Sequence, residues 1–169
     1  MLRRLNKHLD VWCGILCYFS SSMIGSIERN AGETEVPAQP LISIVDDDQL
    51  MRDSMRQLVK SFGFAVATFP SALAFLKSPD LDETACLIAD VQMPGMTGDE
   101  LYRRLIGDGR TIPTILVTAY PNDRVRARAL SEGVVCYIHK PFDQNNLMSC
   151  VRKALESGSP AFSSRQSIE

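Results

Sequence analysis

The chain has 169 residues, 45% of them apolar and 22% charged, which suits one compact domain with tails and leaves no room for a second domain of any size. Its formal net charge is −2, and Leu41–Leu155 carries 14 acidic against 13 basic residues, so no overall positive field draws it to nucleic acid and DNA binding is not expected. The five cysteines (Cys13, Cys17, Cys86, Cys136 and Cys150) show no CxxC spacing, and neither His8 nor His139 has a partner at metal-ligand spacing. No zinc site is expected, and the cysteines are read as reduced core thiols in a cytoplasmic protein.

Residues 1–40 differ from the rest. Arg3, Arg4 and Lys7 precede an apolar run, Val11–Phe19, and then Ser20–Ser22 and a polar stretch that ends in Pro37 and Pro40. The run is short of the ~20 apolar residues that a bilayer span needs, and no Ala-x-Ala cleavage signal follows it. We expect a poorly structured extension, or a chain that truly starts at Met23. A membrane anchor and an export signal are the alternatives, and no membrane partner is expected.

From Leu41 strands and helices alternate. Leu41–Val45 is a short apolar run. Leu50, Met51, Met55, Leu58, Val59 and Phe62 then recur at helical spacing until Gly63 ends the helix. Phe64–Phe69 reads as a strand, Ser71 as the cap of a helix over Ala72–Leu76, and Cys86–Ala89 as a strand that ends at Asp90. After the loop Val91–Met96 come a helix (Thr97–Ile106), a strand (Thr114–Thr118), a helix (Asp123–Glu132), a strand (Val135–His139) and a helix over Gln144–Leu155. Ser157–Glu169 has no periodic pattern and is expected to be a disordered tail. Five β/α units predict an α/β fold, a doubly wound parallel sheet with five helices and a site at the carboxyl ends of its strands.

The notable polar residues fall at those ends. Asp46 and Asp47 follow the first strand, Asp90 the third, Thr118 closes the fourth, and Lys140 follows the fifth. Three carboxylates in one crevice repel each other, so a hard divalent cation is expected, and Mg²⁺ suits an all-oxygen site. Helix capping is the plainer role for an Asp-Asp-Asp run, and Asp48 is the member placed for it. Arg124 and Arg128, spaced i, i+4, are expected on a solvated helix face, with partner docking as the alternative.

Four separated motifs resemble the receiver domains of two-component response regulators: Ile44-Val45-Asp46-Asp47-Asp48, Asp90 through Gly98, Val117-Thr118-Ala119 and Lys140-Pro141-Phe142. The resemblance covers about Leu41 to Leu155 and implies a flavodoxin-like sheet of order 2-1-3-4-5 within residues 41–156. It makes Asp90 the phosphoryl acceptor, served by a histidine kinase or a histidine phosphotransfer protein. Mg²⁺ would be held by Asp47 and Asp90 directly, by Asp46 through water and by the Gln92 carbonyl. Lys140 and the Thr118 hydroxyl would hold the phosphoryl oxygens, and Lys140–Pro141 would be cis. Thr118 and Tyr137 resemble the family's switch pair, while Gln92 and Tyr120 flank the acceptor where the family varies and would influence how long the acyl phosphate survives.

Four functions compete. The first is a stand-alone receiver, not an enzyme beyond its own phosphorylation and slow dephosphorylation, that signals to an unknown downstream protein. The wider run through Gly63-Phe64 and Ser71-Ala72 resembles receivers that precede a helix-turn-helix output domain, which makes a transcription regulator that has lost that domain, or a fragment of one, a second reading. A shuttle in a multistep relay is a third. An aspartate-based phosphohydrolase fits worst, because that class needs a second Asp two residues after the nucleophile, and Gln92 stands there.

Overall fold

The computed structural model describes residues 39–158, so the expectations for the N-terminal extension and for the tail beyond Gly158 lie outside the described residues. Five strands form one sheet: β1 (Leu41–Val45), β2 (Ala65–Phe69), β3 (Thr84–Asp90), β4 (Thr114–Thr118) and β5 (Cys136–His139). They are parallel throughout and lie in the order β2-β1-β3-β4-β5. Six helices connect and flank them: α1 (Gln49–Ser61), α2 (Ala72–Leu76), α3 (Asp80–Glu83), α4 (Gly98–Gly107), α5 (Asp123–Ser131) and α6 (Gln144–Ser157). The sequence reading of five helices misses α3, a single turn too short to show periodicity, and stops α6 two residues early.

Local chemistry fixes the boundaries. Asp48 caps α1 by accepting from the Leu50 and Met51 amides, so it does serve as a cap. After Phe62 the chain turns at Gly63, whose φ of 86° is a conformation that favours glycine. Ser71 caps α2, and Thr97 with Glu100 forms a reciprocal capping box on α4.

Because side chains alternate along a strand, β3 and β4 feed two cores. Cys86, Ile88, Ile115 and Val117 pack with Met55 and Val59 of α1 and Leu147 and Val151 of α6. Leu87, Ala89 and Leu116 pack on the other face with Phe75, Leu101 and Leu105. With both faces covered, the open ends of the strands are left for polar groups. Among the described residues no helix is long and apolar enough to cross a membrane.

Candidate functional site

The strand register brings the polar residues together. Val45 lies beside Ala89, Asp90 beside Val117, and Thr118 beside His139, so Asp46, Asp90, Thr118 and Lys140 all emerge at one edge of the sheet. Backbone bonds extend the ladder past the strands: the Asp46 amide donates to the Phe69 carbonyl at 3.2 Å, and the Lys140 amide to the Thr118 carbonyl at 2.7 Å. The Lys140–Pro141 peptide is cis, as the resemblance implies.

Lys140 stands between two carboxylates. Its Nζ donates to Asp46 Oδ2 at 2.7 Å and to Asp90 Oδ1 at 2.8 Å. Asp46 is 1% exposed and Asp90 7% exposed, so both are removed from bulk water and depend on this cation. Burial pushes the Asp90 carboxyl above its ordinary range, the hydrogen bond and charge of Lys140 pull it back, and the nearby Asp46 charge adds to the rise. Burial opposes the Lys140 charge as well, but its bonds to Asp46 and Asp90 prevail and hold the ammonium above its usual value. The remaining oxygens are also engaged: Asp46 Oδ1 accepts from the Asp48 amide at 2.9 Å and Asp90 Oδ2 from the Gln92 amide at 3.1 Å.

Asp47 and Gln92 are exposed at the mouth of the site. Among the described residues no three carboxylate, imidazole or thiol groups converge as a ready metal cage, so Asp47 does not yet join Asp46 and Asp90. The donor set nevertheless fits a hard cation. It is made of oxygen alone, two of its carboxylates are close enough to share one ammonium, and a third lies next in sequence on the solvent side.

Thr118 is fully buried, and its hydroxyl is engaged by the Tyr120 backbone, accepting from the amide at 3.1 Å. The Tyr137 hydroxyl is enclosed, and among the described residues it has no partner within hydrogen-bond distance. Burial raises its phenol, while the Asn122 backbone and the Thr118 hydroxyl, both near it, pull the other way. Tyr120 is 72% exposed.

Two contributors escape the sequence reading. Arg52 donates from α1 to the Asp46 carbonyl at 2.6 Å. Asp99, buried at the start of α4, accepts from Arg103 at 2.7 Å and from Arg128 at 2.8 Å. Arg124 and Arg128 are both exposed, as a solvated face requires, and Arg128 in addition ties α5 to α4. A cleft of about 530 Å³ bounded by Pro40, Thr84, Arg110 and Pro113 opens at the opposite end of the sheet, far from these groups, and its Arg110 is paired with Asp82.

A parallel sheet of this order with carboxylates and a lysine at its carboxyl edge is the architecture of a receiver domain. Residues 42–152 match the response regulator receiver domain, and the chain belongs to that family. It is 33% identical over 120 residues to the transcriptional regulatory protein FixJ of Bradyrhizobium diazoefficiens, an alignment that covers 71% of this chain and 58% of FixJ. It is 34% identical over 119 residues to the C4-dicarboxylate transport transcriptional regulatory protein DctD of Rhizobium meliloti, covering 70% of this chain and 26% of DctD. The crystal structure of FixJ-N is similar at a TM-score of 0.63 and 32% identity, over 69% of this chain and 94% of that one.

These matches correct one expectation. The chain spans little more than half of FixJ and about a quarter of DctD, and both are transcriptional regulators. The reading of a receiver that acts alone, without a DNA-binding domain, is therefore overturned: the matched region is one part of such regulators. The near-balanced charge of Leu41–Leu155 describes the receiver and not a whole regulator.

Proposed function

We propose that this receiver is switched by transfer of a phosphoryl group from a phosphohistidine of a histidine kinase or phosphotransfer protein to Asp90, and that the switch serves transcriptional control. The observation that carries the reading is the Lys140 ammonium held between Asp46 and Asp90. The relatives' roles support the second half of it.

In the transfer, an Asp90 carboxylate oxygen attacks phosphorus in line, an O–P bond forms, and the P–N bond breaks so that its electron pair stays on the imidazole. Asp90 has to be ionised to attack, and Lys140 offsets the burial that opposes this. As negative charge arrives, Lys140 can turn its ammonium from the carboxylates to the phosphoryl oxygens, because it reaches Asp90 already. The Thr118 hydroxyl is the second candidate donor, once released from Tyr120. Mg²⁺, held by Asp46, Asp47, Asp90 and the Gln92 carbonyl, would neutralise charge between the acidic residues and the phosphoryl group. Gln92 and Tyr120, exposed on either side of Asp90, are placed to affect access of water to the product. The activity is signalling chemistry on the protein itself.

Incubating the protein with a small acyl phosphate and Mg²⁺ tests the reading. One phosphoryl group labile to alkali and hydroxylamine is expected, EDTA should prevent it, and Asp90→Asn or Asp47→Ala should abolish it in a folded protein. A protein beginning near Glu33 should label like the full chain, because the receiver pattern is complete from Leu41. Persistent stoichiometric labelling of folded Asp90→Asn would sink the assignment.

A further inference from the structure

We propose that Arg52 is a positioning residue for the metal-binding loop, fixing the Asp46–Asp47 peptide and with it the backbone from which the exposed Asp47 carboxylate would join Asp46 and Asp90 on a cation. The inference rests on the reading of Asp46, Asp47 and Asp90 as Mg²⁺ ligands.

The loop between β1 and α1 is held almost everywhere except at Asp47. The Asp46 amide is bonded to Phe69, its carboxylate oxygens to the Asp48 amide and to Lys140, and Asp48 is anchored as the cap of α1. Rotation of the peptide plane between Asp46 and Asp47 is the soft motion left. Its oxygen is the atom that Arg52 Nη1 holds at 2.6 Å, a short charge-assisted bond. The Asp47 amide shares that plane, so the bond also sets the direction in which the Asp47 side chain leaves the backbone. The helix supplies the reach: the Arg52 amide bonds to the Asp48 carbonyl at 3.0 Å in the first turn of α1, which sets the half-buried arginine over the loop.

Two opposite effects on a dication make the role testable. A guanidinium near the site repels Mg²⁺, so if its charge were all that mattered, removing it would tighten binding. If it orients a ligand, removing it weakens binding, and partners that orient metal ligands are worth roughly 10–100-fold in affinity.

The experiment is calorimetric titration of Mg²⁺ into the EDTA-stripped full chain, with amide NMR shifts of Asp47 and Asp90 as a second readout. Arg52→Gln should bind Mg²⁺ roughly tenfold more weakly than the parent, with a melting temperature in EDTA close to that of the parent. Arg52→Lys, which keeps the charge as a single-point donor, should fall between them. Affinity equal to or tighter than the parent's in either folded variant overturns the proposal. Asp47→Ala separates the two levels of the argument. If it binds Mg²⁺ as the parent does, or if the parent binds none, the metal reading itself has failed. If Asp47→Ala loses binding while Arg52→Gln retains it fully, only the role of Arg52 is wrong.

Discussion

Gly98, the first residue of α4, sits directly against the backbone of Asp90: a β-carbon built on it would overlap the Asp90 carbonyl oxygen and press on Leu116. Its own amide donates to the Val91 carbonyl at 3.1 Å, so α4 begins in contact with the loop that follows the acceptor. Neither backbone can swing aside as a flexible side chain would. Gly98→Ala must therefore displace α4 or the end of β3, and overpacking of this kind costs about 1–3 kcal/mol. A lower melting temperature and slower labelling of Asp90 are expected. A variant that melts and labels like the parent would show that the contact is relieved at no cost.

The same region shows what was legible in the sequence. Apolar runs of strand length separated by amphipathic segments give a parallel sheet, and in a parallel sheet residues just past the strands must converge. Asp46, Asp90, Thr118 and Lys140 follow from that step alone. Arg52 does not, because its partner is a backbone carbonyl six residues back, and no periodicity records which way a side chain reaches. Asp99 and Arg128 lie 29 residues apart and meet only because α4 and α5 are neighbours on the folded sheet. The turn α3 escaped because four residues cannot show a helical repeat.

Tyr102 gives a prediction for stability and its pH dependence. Its ring is buried and its hydroxyl donates to the Glu132 carbonyl at 2.8 Å, joining α4 to the end of α5. Tyr102→Phe should cost ~1 kcal/mol near neutral pH in urea unfolding. Burial and then the Glu132 charge raise the phenol above its ordinary value, so the folded state favours the protonated form. That contribution is fully present below the unfolded-state value near pH ~10 and is lost as pH rises through the folded one. The gap between parent and variant should shrink in strongly alkaline buffer. A gap that widens there would show that the phenolate is stabilised in the folded state.

The thiols on the face of the sheet covered by α1 and α6 should be slow to react. Burial, with smaller effects from Cys136 and Cys150, pushes Cys86 up to about 12, and burial with the neighbouring Cys136 thiol pushes Cys150 up to about 12. Since the thiolate is the reacting form, native Cys86 and Cys150 should resist an aromatic disulfide reagent at neutral pH and react promptly in denaturant. Peptide mass mapping is needed to tell these two from Cys13, Cys17 and Cys136. Rapid native modification of Cys86 would mean that the packing between β3 and α6 opens readily.

Thr118 and Tyr137 bear on how a phosphoryl group at Asp90 would be felt elsewhere. At rest the Thr118 hydroxyl is occupied by the Tyr120 backbone, and among the described residues the enclosed Tyr137 hydroxyl has no hydrogen-bond partner. An unsatisfied buried hydroxyl stabilises nothing, so Tyr137→Phe should melt at or above the parent's temperature in the unphosphorylated protein. Under the proposed phosphorylation, drawing the Thr118 hydroxyl toward the phosphoryl oxygens would leave space and an altered polar environment beside the Tyr137 ring. Movement there would be felt in β5, to which Tyr137 belongs, and in α5, whose Ala129 lies in the core that Tyr137 packs on. Thr118→Ala keeps Asp90, Asp46, Asp47 and Lys140, so labelling by an acyl phosphate should persist at a similar stoichiometry. What should weaken is the change that labelling produces in the amide spectra of residues in α5 and β5. If parent and Thr118→Ala show the same spectral change at the same degree of phosphorylation, the hydroxyl has no part in relaying the signal, and the route from Asp90 to the surface lies through other residues.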